Sequence, residues 1–295
     1  MHGRVEPPTA ILNTRLPSDL AEQVGRALRE DVGPGDITAG LIAAHAHAQA
    51  RVLCRESAVL CGSAWFNETF RQLDPSVEIR WHFHDGERLA ADSVLCELKG
   101  GARVLLTGER TALNFLQLLS GTATTTERYV AAVSGTGCRI LDTRKTVPGL
   151  RSAQKYAVRC GGGSNHRLGL YDMVLIKENH IAAAGSIAAA VSAARSEAPG
   201  VRVEVEAETL EQVRQALAAG ADIIMLDNFS LEQMRTAVAL NRSHAHPVEL
   251  ECSGGIALES LRSIAATGVD YISVGSLTKH VQSIDLSMRI LAMSG

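Results

Sequence analysis

No stretch of this 295-residue chain stays apolar for the roughly 18 residues that a membrane span needs, because charge interrupts every candidate first. The six cysteines, Cys54, Cys61, Cys96, Cys138, Cys160 and Cys252, form no C-x-x-C pair and no metal-finger spacing, so they read as buried small hydrophobes. Charge of one sign is also missing: the formal net charge is −3 and no exclusively basic face is visible, which removes the electrostatic case for nucleic acid. Neither a Walker loop nor a G-x-G-x-x-G fingerprint occurs, which argues against nucleotide binding by those routes. Internal repeats and low-complexity tracts are absent. Glu6, Pro7 and Pro8 stand where the apolar core of a signal peptide would begin, so the expectation is a cytoplasmic enzyme. With 46% apolar and 21% charged residues, what remains is an ordinary soluble globular composition, long enough for one large domain or two moderate ones.

The second half of the chain is organised as apolar runs ending on polar residues. Cys138 to Leu141, Met173 to Ile176, Val201 to Val205, Ile223 to Leu226, Val248 to Leu250 and Tyr271 to Val274 read as strands, each followed by helical spacing. Their endings are Asp142-Thr143-Arg144-Lys145, Lys177, Glu206, Asp227, Ser253 and Gly275. Parallel strands are covered on both faces, so polarity is expected where a strand emerges, and in a β/α barrel catalytic groups collect at those carboxyl ends.

The first hundred or so residues have a different texture. A helix over Leu20 to Glu30, short strands at Ala50 to Arg55, Ala58 to Cys61, Val77 to Phe83 and Ser93 to Lys99, and a helix over Ser63 to Leu73 predict an α+β domain. Arg103 to Leu119 predicts a further helix that Gly108 could interrupt, with the Ser120 to Thr126 cluster beyond it. The domain change is expected between about Leu116 and Thr136, dividing the chain into residues 1–120 and 121–280. The apolar-periodic segment Ser283 to Leu291 either finishes the barrel or returns, with residues 281–295, to the first domain. His45/His47 and His82/His84 have i, i+2 spacing, which shares one face of a strand; with no third ligand recognisable nearby, they read as exposed positions.

Arg144, Lys145, His166, Arg167 and Lys177 concentrate cations where barrel strands end, an arrangement suited to an acidic substrate, and arginine's fork matches planar carboxylates. Glu206 and Asp227 can bind a divalent metal, accept hydrogen bonds from sugar hydroxyls, or pair with Lys145 or Lys177. Ser253-Gly254-Gly255 and Gly275-Ser276 each lead into a helix, a combination that suits a phosphate.

At this point several motifs together resemble the quinolinate phosphoribosyltransferase family, the carboxylating nicotinate-nucleotide pyrophosphorylases. They are Asp142-Thr143-Arg144-Lys145-Thr146, Gly163-Ser164-Asn165-His166-Arg167, Leu175-Ile176-Lys177-Glu178-Asn179-His180, Glu204-Val205-Glu206, Met225-Leu226-Asp227-Asn228 and Glu251-Cys252-Ser253-Gly254-Gly255. Gly33-Pro34-Gly35-Asp36-Ile37-Thr38 and Gly108-Glu109-Arg110-Thr111-Ala112-Leu113-Asn114 extend the resemblance over nearly the whole chain.

The resemblance implies an amino-terminal α/β open-sandwich domain, a carboxy-terminal incomplete parallel β/α barrel, and a homodimer, alone or within a higher oligomer, in which one subunit's first domain caps its partner's barrel. It implies that Arg144, His166, Arg167 and Lys177 hold the two carboxylates of quinolinate, with Arg110 arriving from the neighbouring subunit. Lys145 would meet the pyrophosphate of phosphoribosyl pyrophosphate (PRPP). Glu206 and Asp227 would contact the ribose hydroxyls and, directly or not, Mg2+, making Lys145, Glu206 and Asp227 the catalytic set. Ser253, Gly254, Gly255 and Gly275 would seat the 5-phosphate, with either Lys279 or His280 reaching it. The reaction would yield nicotinate mononucleotide, pyrophosphate and carbon dioxide in NAD biosynthesis. The rivals are a Schiff-base aldolase using Lys177 or Lys145, and a paralogue that acts on, or only binds, a different acidic ligand.

Overall fold

The computed structural model describes residues 15–294, so the Glu6-Pro7-Pro8 reading lies outside the described residues. In chain order the elements are α1 (Leu20–Val32), β1 (His47–Cys54), β2 (Ala58–Val59), α2 (Ser63–Leu73), β3 (Glu78–Trp81), β4 (Arg88–Leu89), β5 (Val94–Gly101) and α3 (Ala102–Ala132). They continue as β6 (Arg139–Leu141), α4 (Arg151–Cys160), β7 (Val174–Ile176), α5 (Glu178–Ala184), α6 (Ile187–Glu197), β8 (Val203–Ala207), α7 (Leu210–Ala218) and β9 (Ile223–Asp227). The last are α8 (Leu231–Ser243), β10 (Glu249–Ser253), α9 (Leu261–Ala265), β11 (Tyr271–Ser273), α10 (Ser276–Lys279) and β12 (Leu286–Ser294). Two compact units result: of the described residues, 15–127, 146–162 and 277–294 form one, and 128–145 with 163–276 form the other. No described helix is long and apolar enough to cross a membrane.

The first unit contains an antiparallel sheet in the order β12-β1-β5-β3. Along β1 the alternation places Ala48, Ala50 and Val52 inward, where they share a core with Phe66 and Phe70 of α2 and Leu105, Leu113 and Leu116 of α3. The segment Ser283 to Leu291 resolves in favour of the first unit: β12 pairs antiparallel with β1 from Cys54↔Leu286 to His47↔Ser294. A second cluster joins Val24 of α1, Trp65 of α2, Phe115 and Leu119 of α3, and Ala153, Tyr156 and Ala157 of α4. His45, His47, His82 and His84 are exposed, and all six cysteines are free and buried.

The helix expected to end near Leu119 continues to Ala132, straight through the Ser120 to Thr126 cluster. Serine and threonine disfavour helix interiors because their hydroxyls compete for the backbone, yet here they bond within the helix or satisfy a neighbour. Thr122, Thr124 and Thr126 donate to the carbonyls four residues back at 3.2, 2.7 and 2.8 Å. Ser120 accepts from Cys61 N at 2.9 Å and donates to Cys61 O at 3.0 Å, while Thr124 accepts from Val59 N at 2.8 Å. The hydroxyls thus stand in for a strand partner alongside the short β2. Gly108 does not interrupt the helix either; a Cβ there would lie 2.7 Å from the Phe70 ring, so its missing side chain lets α2 pack close.

The second unit is built on a six-stranded parallel sheet, β6-β11-β10-β9-β8-β7, and Ser164 adds a parallel bridge to Leu141 beyond β6. Most of its helices begin where the sequence supplies a cap: Ser186 accepts from Ala189 N, and Thr209 with Gln212 and Ser230 with Gln233 form capping boxes. The register sorts the strands into two faces. Val203, Val205, Ile224, Leu226, Leu250, Cys252 and Ile272 share one, with α6 and α7 contacting β8 and α7 contacting β9. Lys177, Glu204, Glu206, Met225, Asp227, Glu251, Ser253 and Ser273 fall on the other by the alternation of the pleat. Polarity is therefore not confined to strand ends. An incomplete barrel has an inner face lined by alternate residues, and this one carries carboxylates in mid-strand.

Candidate active site

All the candidate residues between Arg144 and Gly275 belong to the second unit, on its sheet or the loops that follow its strands. Arg110 is exposed on α3, and Lys279 and His280 are exposed at and just past the end of α10; these three belong to the first unit.

The loop after β6 begins with Asp142, whose side chain is fully buried. Its carboxylate accepts from the His166 backbone N–H at 2.9 Å and from Asn165 Nδ2 at 2.6 Å, which ties the Ser164 segment to the β6 end. This anchoring brings Arg144 and Arg167 within electrostatic reach of one another. Burial, followed by the like charge of Arg144, holds the Arg167 guanidinium below its ordinary pKa. Arg167 Nη1 donates to Met173 O at 3.2 Å, and the turn beyond it is closed by Asp172, which accepts from Leu168 N and Gly169 N.

Lys177 ends β7 and its ammonium donates to Glu206 at the end of β8, the ion pair weighed from sequence for Glu206. Lys145 lies against the β11 end: a Cβ on Gly275 would meet Lys145 Cδ at 3.0 Å and Thr143 Oγ1 at 3.5 Å, so glycine leaves the space that the lysine stem uses. Asp227 accepts from Asn228 Nδ2 at 2.8 Å. The loop after β10 packs on the same asparagine, because Gly254, at φ +97°, presents its bare Cα side to Asn228 Oδ1, where a Cβ would come within 2.2 Å.

Beneath these groups His166, expected from sequence to meet quinolinate, lies beside two carboxyl groups that sequence reading gave no role. Glu204 of β8 and Glu251 of β10 are both fully buried on the inner face, and His166 Nε2 stands 3.0 Å from one and 3.5 Å from the other. Burial pushes the Glu251 carboxyl up to about 8, with the neighbouring Glu204 adding to the shift. Burial likewise pushes Glu204 up to about 7, against the pull of its hydrogen bond with Glu251 and of Arg167. The signal was present as Glu204-x-Glu206 and Glu249-x-Glu251, carboxylates two apart within apolar runs. That spacing puts both members of each pair on one face of a strand, and charge there calls for a partner.

Comparison with known proteins adds an independent line. Residues 122–289 match the family described as quinolinate phosphoribosyl transferase, C-terminal domain, and residues 36–120 match its N-terminal domain. A nicotinate-nucleotide pyrophosphorylase [carboxylating] of Mycobacterium leprae is 43% identical over 274 residues, covering 90% of this chain and 95% of that protein. The Homo sapiens protein of the same name is 37% identical, covering 94% and 93%. The solved structure of the nicotinate-nucleotide pyrophosphorylase from Francisella tularensis superposes with a TM-score of 0.90 at 49% identity, covering 94% of this chain and 98% of that one.

Proposed function

The chain belongs to the quinolinate phosphoribosyl transferase family, and from that premise we propose that it transfers the phosphoribosyl group of PRPP to quinolinate. Carbon dioxide and pyrophosphate leave, and nicotinate mononucleotide is formed for NAD biosynthesis. The observation that carries this reading is the placing of Arg144 and Arg167 on neighbouring loops at one end of the sheet, tied together through Asp142. Guanidinium forks match planar carboxylates, and the two carboxylates of quinolinate suit such a pair. Lys177 adds a third cation, and Arg110 a fourth from a partner subunit.

In this mechanism the pyridine nitrogen forms a bond to the anomeric carbon of PRPP as the bond from that carbon to the pyrophosphate oxygen breaks. Positive charge builds on the sugar, and the carboxylates of Glu206 and Asp227, on the same face of adjacent strands, stabilise it. Lys145, beside Gly275, offsets charge on the departing pyrophosphate, and Ser253, Gly254, Gly255 and Gly275 seat the 5-phosphate. The positive charge of the quaternary ring nitrogen then stabilises the carbanion left on the adjacent ring carbon when its carboxylate departs as carbon dioxide, and that carbon takes a proton. The donor set of Glu206 and Asp227, oxygen only, fits Mg2+. When bound, Mg2+ would neutralise pyrophosphate charge. A cytoplasmic setting accords with six free cysteines.

Purified protein given quinolinate, PRPP and Mg2+ should produce nicotinate mononucleotide, and nicotinate in place of quinolinate should not. Product from nicotinate, or none from quinolinate, would refute the reading.

The homodimer is part of the same proposal. Its support is the exposure of Arg110 and of large apolar side chains, Ile37 and Leu41 in the first unit and Leu170 and Tyr171 in the second. Arg110→Ala and Arg144→Ala chains, each inactive alone, should recover about a quarter of wild-type activity when mixed and reassembled, since half the dimers are mixed and each holds one intact site. No recovery would mean that Arg110 serves its own chain.

A further inference from the structure

The first unit holds a side-chain cluster for which the proposed reaction has no use. Cys61, just past β2, Asp85, between β3 and β4, and Cys160, the last residue of α4, bring two sulfurs and a carboxylate oxygen within 4.8 Å of one another. Metal–sulfur and metal–oxygen bonds of roughly 2.3 and 2.1 Å let one ion span three donors at that spacing. Sequence spacing does not announce the group, since each member comes from a different part of the unit.

The three residues are held in place by their surroundings. Cys61 is pinned on both sides by Ser120, which accepts from its N–H at 2.9 Å and donates to its carbonyl at 3.0 Å. Cys160 is fixed by the close approach of α4 to α3: a Cβ on the adjoining Gly161 would lie 2.4 Å from the Ala123 carbonyl oxygen. Asp85 accepts from Gly62 N at 2.9 Å, Ser63 N at 3.1 Å and Tyr156 Oη at 2.9 Å. Those donors orient the carboxylate and leave one of its about four lone-pair sites for a further bond.

The chemistry of the cluster separates a ligand set from simple filling of the core. Both cysteines are buried, whereas Asp85 is half-buried and gives solvent a route to its side of the cluster. Burial pushes the Cys61 thiol well up, and the neighbouring Cys160 and Asp85 push it the same way. Anionic sulfur is therefore unfavourable here by itself. A cation between the three groups reverses that, because a coordinating thiol gives up its proton.

We propose that Cys61, Cys160 and Asp85 form a binding site for a thiophilic divalent cation of the Zn2+ class. Each thiol releases its proton to solvent as the metal–sulfur bond forms, and water completes the tetrahedron. The site lies in the first unit, apart from the oxygen-only pair Glu206 and Asp227, and its sulfur ligands select against Mg2+.

Co2+ is the probe, because thiolate ligation gives it a near-ultraviolet charge-transfer band that oxygen ligation does not. Full-length protein, reduced and freed of metal by a chelator, should show that band on addition of Co2+. Excess Mg2+ should leave it in place and Zn2+ should abolish it. Cys138 and Cys252 also lie near one another, so variants locate the band: Cys138→Ala should keep it and Cys160→Ala should lose it. Asp85→Asn, which keeps an acceptor for Gly62 and Ser63, should weaken Co2+ binding about tenfold or more. Absence of the band in wild type under excess Co2+, its loss on adding Mg2+, or its survival in Cys61→Ala/Cys160→Ala protein would overturn the proposal. The first two of these outcomes need no variant to fold, and none of the measurements depends on quinolinate or PRPP.

Discussion

The two units of this chain obey opposite rules for what faces inward. In the first, period-two alternation turns Ala48, Ala50 and Val52 toward one apolar core, and polar groups on that side are absorbed by backbone, as Ser120 and Thr124 are. In the second, the apolar residues lie on the face that α6 and α7 contact, and the inner face holds Glu204, Glu206, Asp227 and Glu251. An antiparallel sheet with one buried face needs only apolar packing, whereas a barrel encloses a space whose lining can carry chemistry. Substitutions should therefore cost stability in the first unit and ligand binding in the second.

The largest expected effect belongs to the barrel rim. Arg144→Ala or Arg167→Ala removes a charge-assisted contact of about 1.5–3 kcal/mol, so the KM for quinolinate should rise about 10- to 150-fold while the thermal midpoint barely moves. A midpoint that fell with unchanged quinolinate binding would break the comparison.

The converse is Gly121→Ala in the first unit. A Cβ there would sit 2.1 Å from the Gln282 carbonyl oxygen, which lies in backbone just ahead of β12 and cannot swing aside as a side chain could. Overpacking of this kind costs about 1–3 kcal/mol, and unfolding in urea should show it as a lowered midpoint with little change in the KM for quinolinate.

A pH-dependent effect sharpens the contrast inside the barrel. The carboxyl of Glu251 is raised by burial to about 8 in the folded chain, above the ordinary value of 4.5, so folding favours its protonated form. That contribution is fully present below pH 4.5 and is lost as pH rises toward about 8. Glu251→Gln cannot ionise, so its stability relative to wild type should improve with pH across that window and level off above it. A flat difference between the two unfolding curves would mean that Glu251 is ionised throughout.

Legibility from sequence followed the range of the interactions involved. The helix Ser63–Leu73 was readable to the residue because its apolar spacing and the glycine before it are local. Arg144, Lys145 and Lys177 were readable as strand-end cations for the same reason. The Ser120 to Thr126 cluster was misread as the end of a helix, since the groups that occupy two of its hydroxyls, Val59 N and Cys61 N, lie some sixty residues away in sequence. Glu204 and Glu251 were legible as parts of motifs but not as a pair, because parallel strands two places apart in the sheet bring them together and His166 joins them from a loop.

By itself the sequence determined the alternation of strand and helix, the charge gathered at strand ends, the glycines that open loops and, through its motifs, the family. Each of these depends on residues within a few positions of one another. Tertiary structure alone decided that the last strand joins the first unit's sheet, that β2, paired on one side with β4, finds a further hydrogen-bond partner on a helix, and that three titratable groups share one buried space. Those outcomes depend on which distant groups are excluded from water together, and desolvation is what raises the carboxyl groups of Glu204 and Glu251 above their ordinary values.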